Sequence, residues 1–210
     1  MAADTQKYFY ILPTPGGAYF SVSVKHESAE KLAICKLMSV DTTPAATTET
    51  LDWLYADLDV GNQEEHFKEL QKNKLVQGIK QAETIQTGNF GDILPSVISQ
   101  LSMSKRALIA DSQGFCLSAT GFSQGLIEEI SVLAADIADL HQRRARDVDR
   151  KLDLNSSAWA IVDASGNSKL GFWPFQVGGE VFVLAIEGVP FLNHPALVEL
   201  IWLLQFRYGR

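Results

Sequence analysis

Between Gln124 and about Arg146, Leu126, Ile130, Leu133, Ile137 and Leu140 recur at intervals of four, three, four and three residues. At that spacing apolar side chains return to one side of an α-helix and form a coiled-coil seam. Ile127, Ala134 and Ala138 add a second apolar side built largely of small residues. A helix with two apolar sides needs two partners. One is a sheet of the same chain; the other is either more of the same core, through one wide apolar face, or a second copy of the chain. Glu128 and Glu129 near its start, and His141, Arg143, Arg144 and Arg146 near its end, complement the helix dipole.

The segments around this helix alternate. Asp92 is placed to cap a helix that turns Ile93, Val97, Ile98 and Leu101 inward. Strands are predicted at 107–110 and 115–119, joined by Asp111-Ser112-Gln113-Gly114, with Asp first and Gly fourth as a tight turn requires. After the long helix come strand candidates at 157–162, 169–172 and 180–186, then a terminal helix from Pro195. The segments LIADSQG (108–114) and AIVDASG (160–166) both run an apolar strand into Asp-x-x-Gly, which is repeated turn chemistry and not a duplication. WAIV and VFVLAI are apolar without alternation, as a sheet covered by helices on both faces requires. The expected fold is α/β (α+β), a three-layer α/β/α sandwich on a five-stranded antiparallel-type sheet. Strand 157–162 has no lysine or proline to block an edge, so it is expected to pair with its symmetry mate.

Residues 1–90 read differently. They hold eight Lys, no Arg and twelve acids, whereas 91–210 hold three Lys, seven Arg and thirteen acids. The polar stretch 83–91 reads as a linker between two domains, 1–90 and 91–210, and 41–48 reads as a loop. Strands at 8–12 and 18–24 around Pro13-Thr14-Pro15-Gly16-Gly17 suggest a hairpin. Ser28 and Asn62 are cap candidates for two helices, with a third carrying Leu51, Leu54, Tyr55 and Leu58 between them, and a strand follows at 75–79. Three short helices and a ribbon resemble a winged helix.

The formal net charge of −7 repels phosphate backbones, which argues against nucleic acid as a partner and turns any winged-helix-like module toward protein. Cys35 and Cys116 lie far apart with no short-spaced Cys/His set, so neither a disulfide framework nor a zinc ribbon is implied and a reducing cytoplasm fits. Neither a secretory leader nor about 18 consecutive apolar residues occurs, so membrane insertion is not expected.

Residues 92–210, and above all SKRALIADSQGFCLSATGFSQGLIEEISVLAADIADLHQRR (104–144), resemble the roadblock domain of the dynein light chain family, whose bacterial relatives bind small Ras-like GTPases. The resemblance implies a profilin-like sandwich that forms a homodimer by pairing the long helix and an edge strand, and that acts by binding a small GTPase or another NTPase. The expected dimer interface is Leu126, Ile130, Leu133, Ile137, Leu140, Trp159 and Ile161. The first 90 residues and an aromatic hairpin at Phe172-Trp173-Pro174-Phe175 depart from the family pattern.

Motifs for chemistry are sparse. Ser102-Met103-Ser104-Lys105 fits S-x-x-K but lacks the companion S-D-N and K-T-G motifs. Asp111 and Asp163 read as turn residues, and His26, His66, His141 and His194 as surface or capping residues with no ligand set. No phosphate-cradling glycine motif occurs, so the chain is not a P-loop GTPase. The expectation is a non-catalytic adaptor with no cofactor and no metal. Two alternatives stand beside it: a small-ligand sensor with Trp159, Trp173 and Phe175 around a pocket, and a transcription-associated module using Lys68, Lys72 and Lys74. On the terminal helix, Leu197, Ile201 and Leu204 share one side while Val198 and Trp202 lie on another, which marks the latter pair as a partner surface or as packing for the N-terminal part.

Overall fold

The computed structural model describes residues 9–23, 27–58, 60–86, 88–152 and 158–209. It divides into two compact units, one of Met1–Gln86 with Ile201–Arg210 and the other of Thr87–Leu200.

In the first unit, β1 (Tyr10–Pro13) leads directly into helix α1 (Pro15–Ser23). The expected hairpin is therefore absent. Thr14 is the reason: its Oγ1 accepts from the Gly17 N–H at 3.0 Å, so it caps the helix, and Pro15 occupies the first helical position, where its missing N–H costs nothing. The Thr14 hydroxyl also donates to the Lys74 carbonyl at 2.6 Å. The strand that β1 pairs with comes from much later, β2 (Val76–Ile79), antiparallel, with Tyr10 opposite Ile79 and Pro13 opposite Val76. Between them lie α2 (Ala29–Leu37), α3 (Thr48–Tyr55) and α4 (Gln63–Lys72). Ser28 accepts from Lys31 N–H, Thr47 from Thr50 N–H, and Asn62 from Glu64 and Glu65 N–H, so each of the three helices is capped at its N-terminus. Ile34, Leu54 and Leu70 are fully buried. The stretch expected to be a linker is tied into this unit: Thr43 and Ile85 N–H donate to the Glu83 and Asp41 carbonyls, and Ile85 is buried.

The second unit follows the expected element order. Helix α5 (Phe90–Ser99) is capped by Asn89, which accepts from Gly91 N–H, and Asp92 sits in its first turn and not at the cap. Strands β3 (Ala107–Asp111) and β4 (Cys116–Thr120), helix α6 (Gln124–Leu152), and strands β5 (Trp159–Val162), β6 (Ser168–Val177) and β7 (Glu180–Glu187) come next. They form a five-stranded antiparallel sheet in the order β4-β3-β7-β6-β5. Both Asp-x-x-Gly turns close hairpins. Asp111 Oδ1 accepts from Gln113 and Phe115 N–H, and Asp163 Oδ1 from Ser165 and Asn167 N–H, all at 2.9–3.0 Å. Gly114 and Gly166 carry φ of 86° and 84°, which a side chain disfavours. Residues 172–175 are not a hairpin: they lie inside β6, where Phe172 faces Trp159 of β5 and Pro174 faces Val183 of β7.

Helix α6 packs on β3, β4, β6 and β7. It covers the face that carries Leu108, Ala110, Phe172, Val183 and Ala185. Alternation along the strands puts Ile109, Trp173, Phe175, Leu184 and Ile186 on the opposite face, and these are buried as well. Mixed α/β architecture with both sheet faces buried is thus present. The terminal helix α7 (Pro195–Tyr208) starts with Pro at its first position, and His194 Nδ1 accepts from Ala196 N–H. Among the described residues no helix is long and apolar enough to cross a membrane.

Candidate interaction surface on the long helix

Small residues decide which side of α6 meets the sheet. Ala134 and Ala138 let the helix axis come close, and they are fully buried together with Ile130, which is 4% exposed. Ile130 is therefore committed to its own core and does not belong to the outward seam with Leu126, Leu133, Ile137 and Leu140. Leu133 and Ile137 are half-buried and pack on the margin of that core; Leu140 is half-buried too. Leu126 and Val132 are exposed at 38% and 62%. An open groove of about 390 Å³ runs here between the helix and β6, with Leu126, Ile130, Val132, Leu133 and Leu170 as its apolar lining and Glu129 and Asp136 as its carboxylates.

The groove adjoins the rim of the sheet. β5 is the last strand in the order, and among the described residues no further strand pairs with it. Its burial runs half-exposed at Trp159 and exposed from Ala160 to Val162. Ile161 is 50% exposed and lies opposite Leu170 in the β5–β6 register, so the two side chains share a face and continue the groove lining. Trp159 is on that face as well, and its indole Nε1 donates to Nδ1 of the buried His141 on α6 at 3.2 Å, which locks the strand to the helix. Of the seven residues expected at a dimer interface, Leu126, Leu133, Ile137, Leu140, Trp159 and Ile161 are partly or largely accessible, and Ile130, 4% exposed, lies at the floor of the groove.

The other expected partner surface is closed. Val198 and Trp202 are each 4% exposed, and the Trp202 Nε1–H donates to the Val40 carbonyl at 2.8 Å, inside the first unit. From Ala196 to Gln205 every residue of α7 except Glu199 is buried. The aromatic set expected to line one ligand pocket is split, since Trp159 lies on the α6 face of the sheet and Trp173 and Phe175 on the other. Lys68 pairs with Glu64 at 3.5 Å along α4, an exposed ion pair and not a bare basic stripe.

Ser102 is buried, and its hydroxyl donates to the Glu187 carbonyl at 3.0 Å and accepts from Arg106 N–H. Lys105 adopts a φ of 61° in the following turn. The pair is spent on holding the chain between α5 and β3. Both cysteines are free, and burial pushes the Cys35 thiol above its ordinary value, so it is not poised as a thiolate.

Asp163 gives a pH test of turn chemistry. The Asn167 backbone N–H first, then the Lys169 ammonium at 3.1 Å, hold its carboxyl below the ordinary 3.8. A pKa lowered by folding stabilises above the unfolded value, and the contribution is lost as pH falls through the folded one. Asp163→Ala should therefore melt earlier than wild type at about pH 7, with the deficit shrinking toward about pH 2. Thermal melts showing the same deficit at both ends would contradict this role.

His66, expected at the surface or in a cap, has other company. Glu30 in the first turn of α2, and His66 and Glu69 one turn apart on α4, bring one ligand atom each to within 4.8 Å of one another. His66 Nδ1 is buried and has no hydrogen-bond partner. Tyr55, at the end of α3, is 2% exposed, its hydroxyl is likewise unpartnered, and its ring centroid is 6.2 Å from that of His66. Burial, reinforced by the Glu30 and Glu69 carboxylates, pushes its phenol up to about 12, so it stays a neutral hydroxyl at physiological pH. No spacing rule could have found this set, because Glu30 and His66 come from different helices.

Compared with family models, with curated proteins and with solved structures, the chain matches none.

Proposed function

We propose that the protein is a non-catalytic homodimeric adaptor that binds a small Ras-like GTPase or another NTPase. The observation that carries this reading is the meeting of a strand edge that no other described strand pairs with and an apolar groove: exposed Ile161 on β5 continues into Leu170, Leu133, Leu126 and Val132 along α6. Open edges and contiguous apolar patches are the two surface features that soluble chains cover by association. A two-fold axis beside β5 would pair that strand with its mate and lay one α6 against the other, covering both at once. The resemblance of 104–144 to the roadblock domain, and the order helix, strand, strand, helix, three strands, helix, support the same arrangement and its GTPase partner.

Light scattering is expected to give twice the chain mass of 23.1 kDa. Leu126→Glu and Ile161→Lys alter exposed positions, so both variants should keep their circular dichroism and melt while shifting to monomer. A monomeric wild type at micromolar concentration would overturn the dimer. Retention of wild-type dimer, but not of either variant, on a GTPase in one nucleotide state is the expected binding result; no retention of wild type in either state would overturn the GTPase partner.

A further inference from the structure

We propose that Glu30, His66 and Glu69 form a binding site for a divalent first-row transition ion of the zinc class, placed between α2 and α4 of the first unit. The site is separate from the α6 surface.

Three features of the geometry point to an ion. The first is convergence without mutual satisfaction. The three ligand atoms lie within 4.8 Å of one another, yet His66 Nδ1 is buried without any hydrogen-bond partner. Buried polar atoms in folded chains are almost always paired, so an unpaired one marks a missing partner. Metal bonds of about 2.1 Å put the donors of a tetrahedral site roughly 3.4 Å apart, so closing on an ion asks only a modest inward movement of side chains.

The second is charge. Two carboxylates are brought toward one another, and two of the lysines on these helices are engaged elsewhere: Lys36 with Asp57 at 3.0 Å and Lys68 with Glu64. A dication between the carboxylates removes their repulsion and takes a lone pair from the imidazole.

The third is Tyr55. Its hydroxyl is buried and unpartnered, and it lies within electrostatic reach of both Glu30 and Glu69. Three protein ligands leave a fourth position on the ion for water, and a buried neutral hydroxyl beside it supplies the outer hydrogen bond that such sites use. One imidazole with two carboxylates suits Zn²⁺ and its neighbours better than Mg²⁺, which takes oxygen ligands and keeps its waters.

The probe is Zn²⁺ added to the chelator-treated full chain and followed by calorimetry and thermal melting. One equivalent should bind per chain and raise the melting midpoint by several degrees. Glu69 is exposed, so Glu69→Gln should fold as wild type does. It should weaken Zn²⁺ by more than the roughly 10–100-fold that losing an outer-shell contact causes. His66→Gln should do the same and also abolish the absorption that Co²⁺ gains on binding wild type; Tyr55→Phe should weaken binding within that outer-shell range. Mg²⁺ should not compete. Failure of wild type to take up one equivalent, Zn²⁺ uptake unchanged in both Glu69→Gln and His66→Gln, or equal competition by Mg²⁺ would each overturn the site.

Discussion

Trp202→Ala is expected to destabilise the first unit by about 3–5 kcal/mol, the usual cost of removing a fully buried large aromatic. Two losses combine. The indole is 4% exposed, so its removal leaves a cavity that the surrounding helices fill only in part. The Val40 carbonyl also loses the Nε1–H donor that reaches it at 2.8 Å. Trp202→Phe separates the two, because it restores most of the volume and none of the hydrogen bond; its cost should be nearer the roughly 1–3 kcal/mol of an unsatisfied buried polar group. Denaturant titrations of both variants read these numbers directly. A Trp202→Ala chain with wild-type midpoint and slope would show that the indole is not packed as described.

Gly17→Ala is the second large effect, at about 1–3 kcal/mol or more, as for overpacking at a site where backbone must move. A Cβ at Gly17 would collide with the Leu75 carbonyl oxygen and stand 2.7 Å from its carbon. These are backbone atoms, and Leu75 is held by hydrogen bonds from Thr14 N–H and to Leu70, so they cannot swing aside as a side-chain tip does. Alanine normally favours a helix over glycine by about 1 kcal/mol, and the sign is reversed here by the close approach of two chain segments. Gly16→Ala is the control: its new Cβ meets only Thr14 Oγ1, at 3.7 Å, and should be neutral or stabilising. If both variants melt alike, the approach of α1 to Leu75 is wrong.

Signals that span a few residues were legible in the sequence. Ser28 and Asn62 announce their helices, and the two Asp-x-x-Gly segments announce hairpins, because cap and turn bonds join neighbours in the chain. Pro13-Thr14-Pro15-Gly16-Gly17 misled for a local reason as well. Pro and Gly serve turns, but Thr-Pro also serves a helix start, and the choice was made by Leu75, about sixty residues away. On α6 both apolar sides were visible; what the spacing could not say was that Ile130 joins Ala134 and Ala138 beneath the helix. Trp202 was assigned two possible covers, and only the bond to Val40 distinguishes them. The grouping of Glu30 with His66 depends on how α2 and α4 both pack on α3, so it lay beyond any motif.

The bond from Trp202 to Val40 joins residues 162 positions apart, and Ile201–Arg210 groups with Met1–Gln86. Synthesis runs in one direction. At about 5–20 residues per second, Val40 waits roughly 8–30 seconds after leaving the ribosomal active centre before its partner has been made. During that interval the whole of Thr87–Leu200 is produced. Met1–Gln86 is thus made before Thr87–Leu200 and completed after it, with the place of Trp202 open throughout.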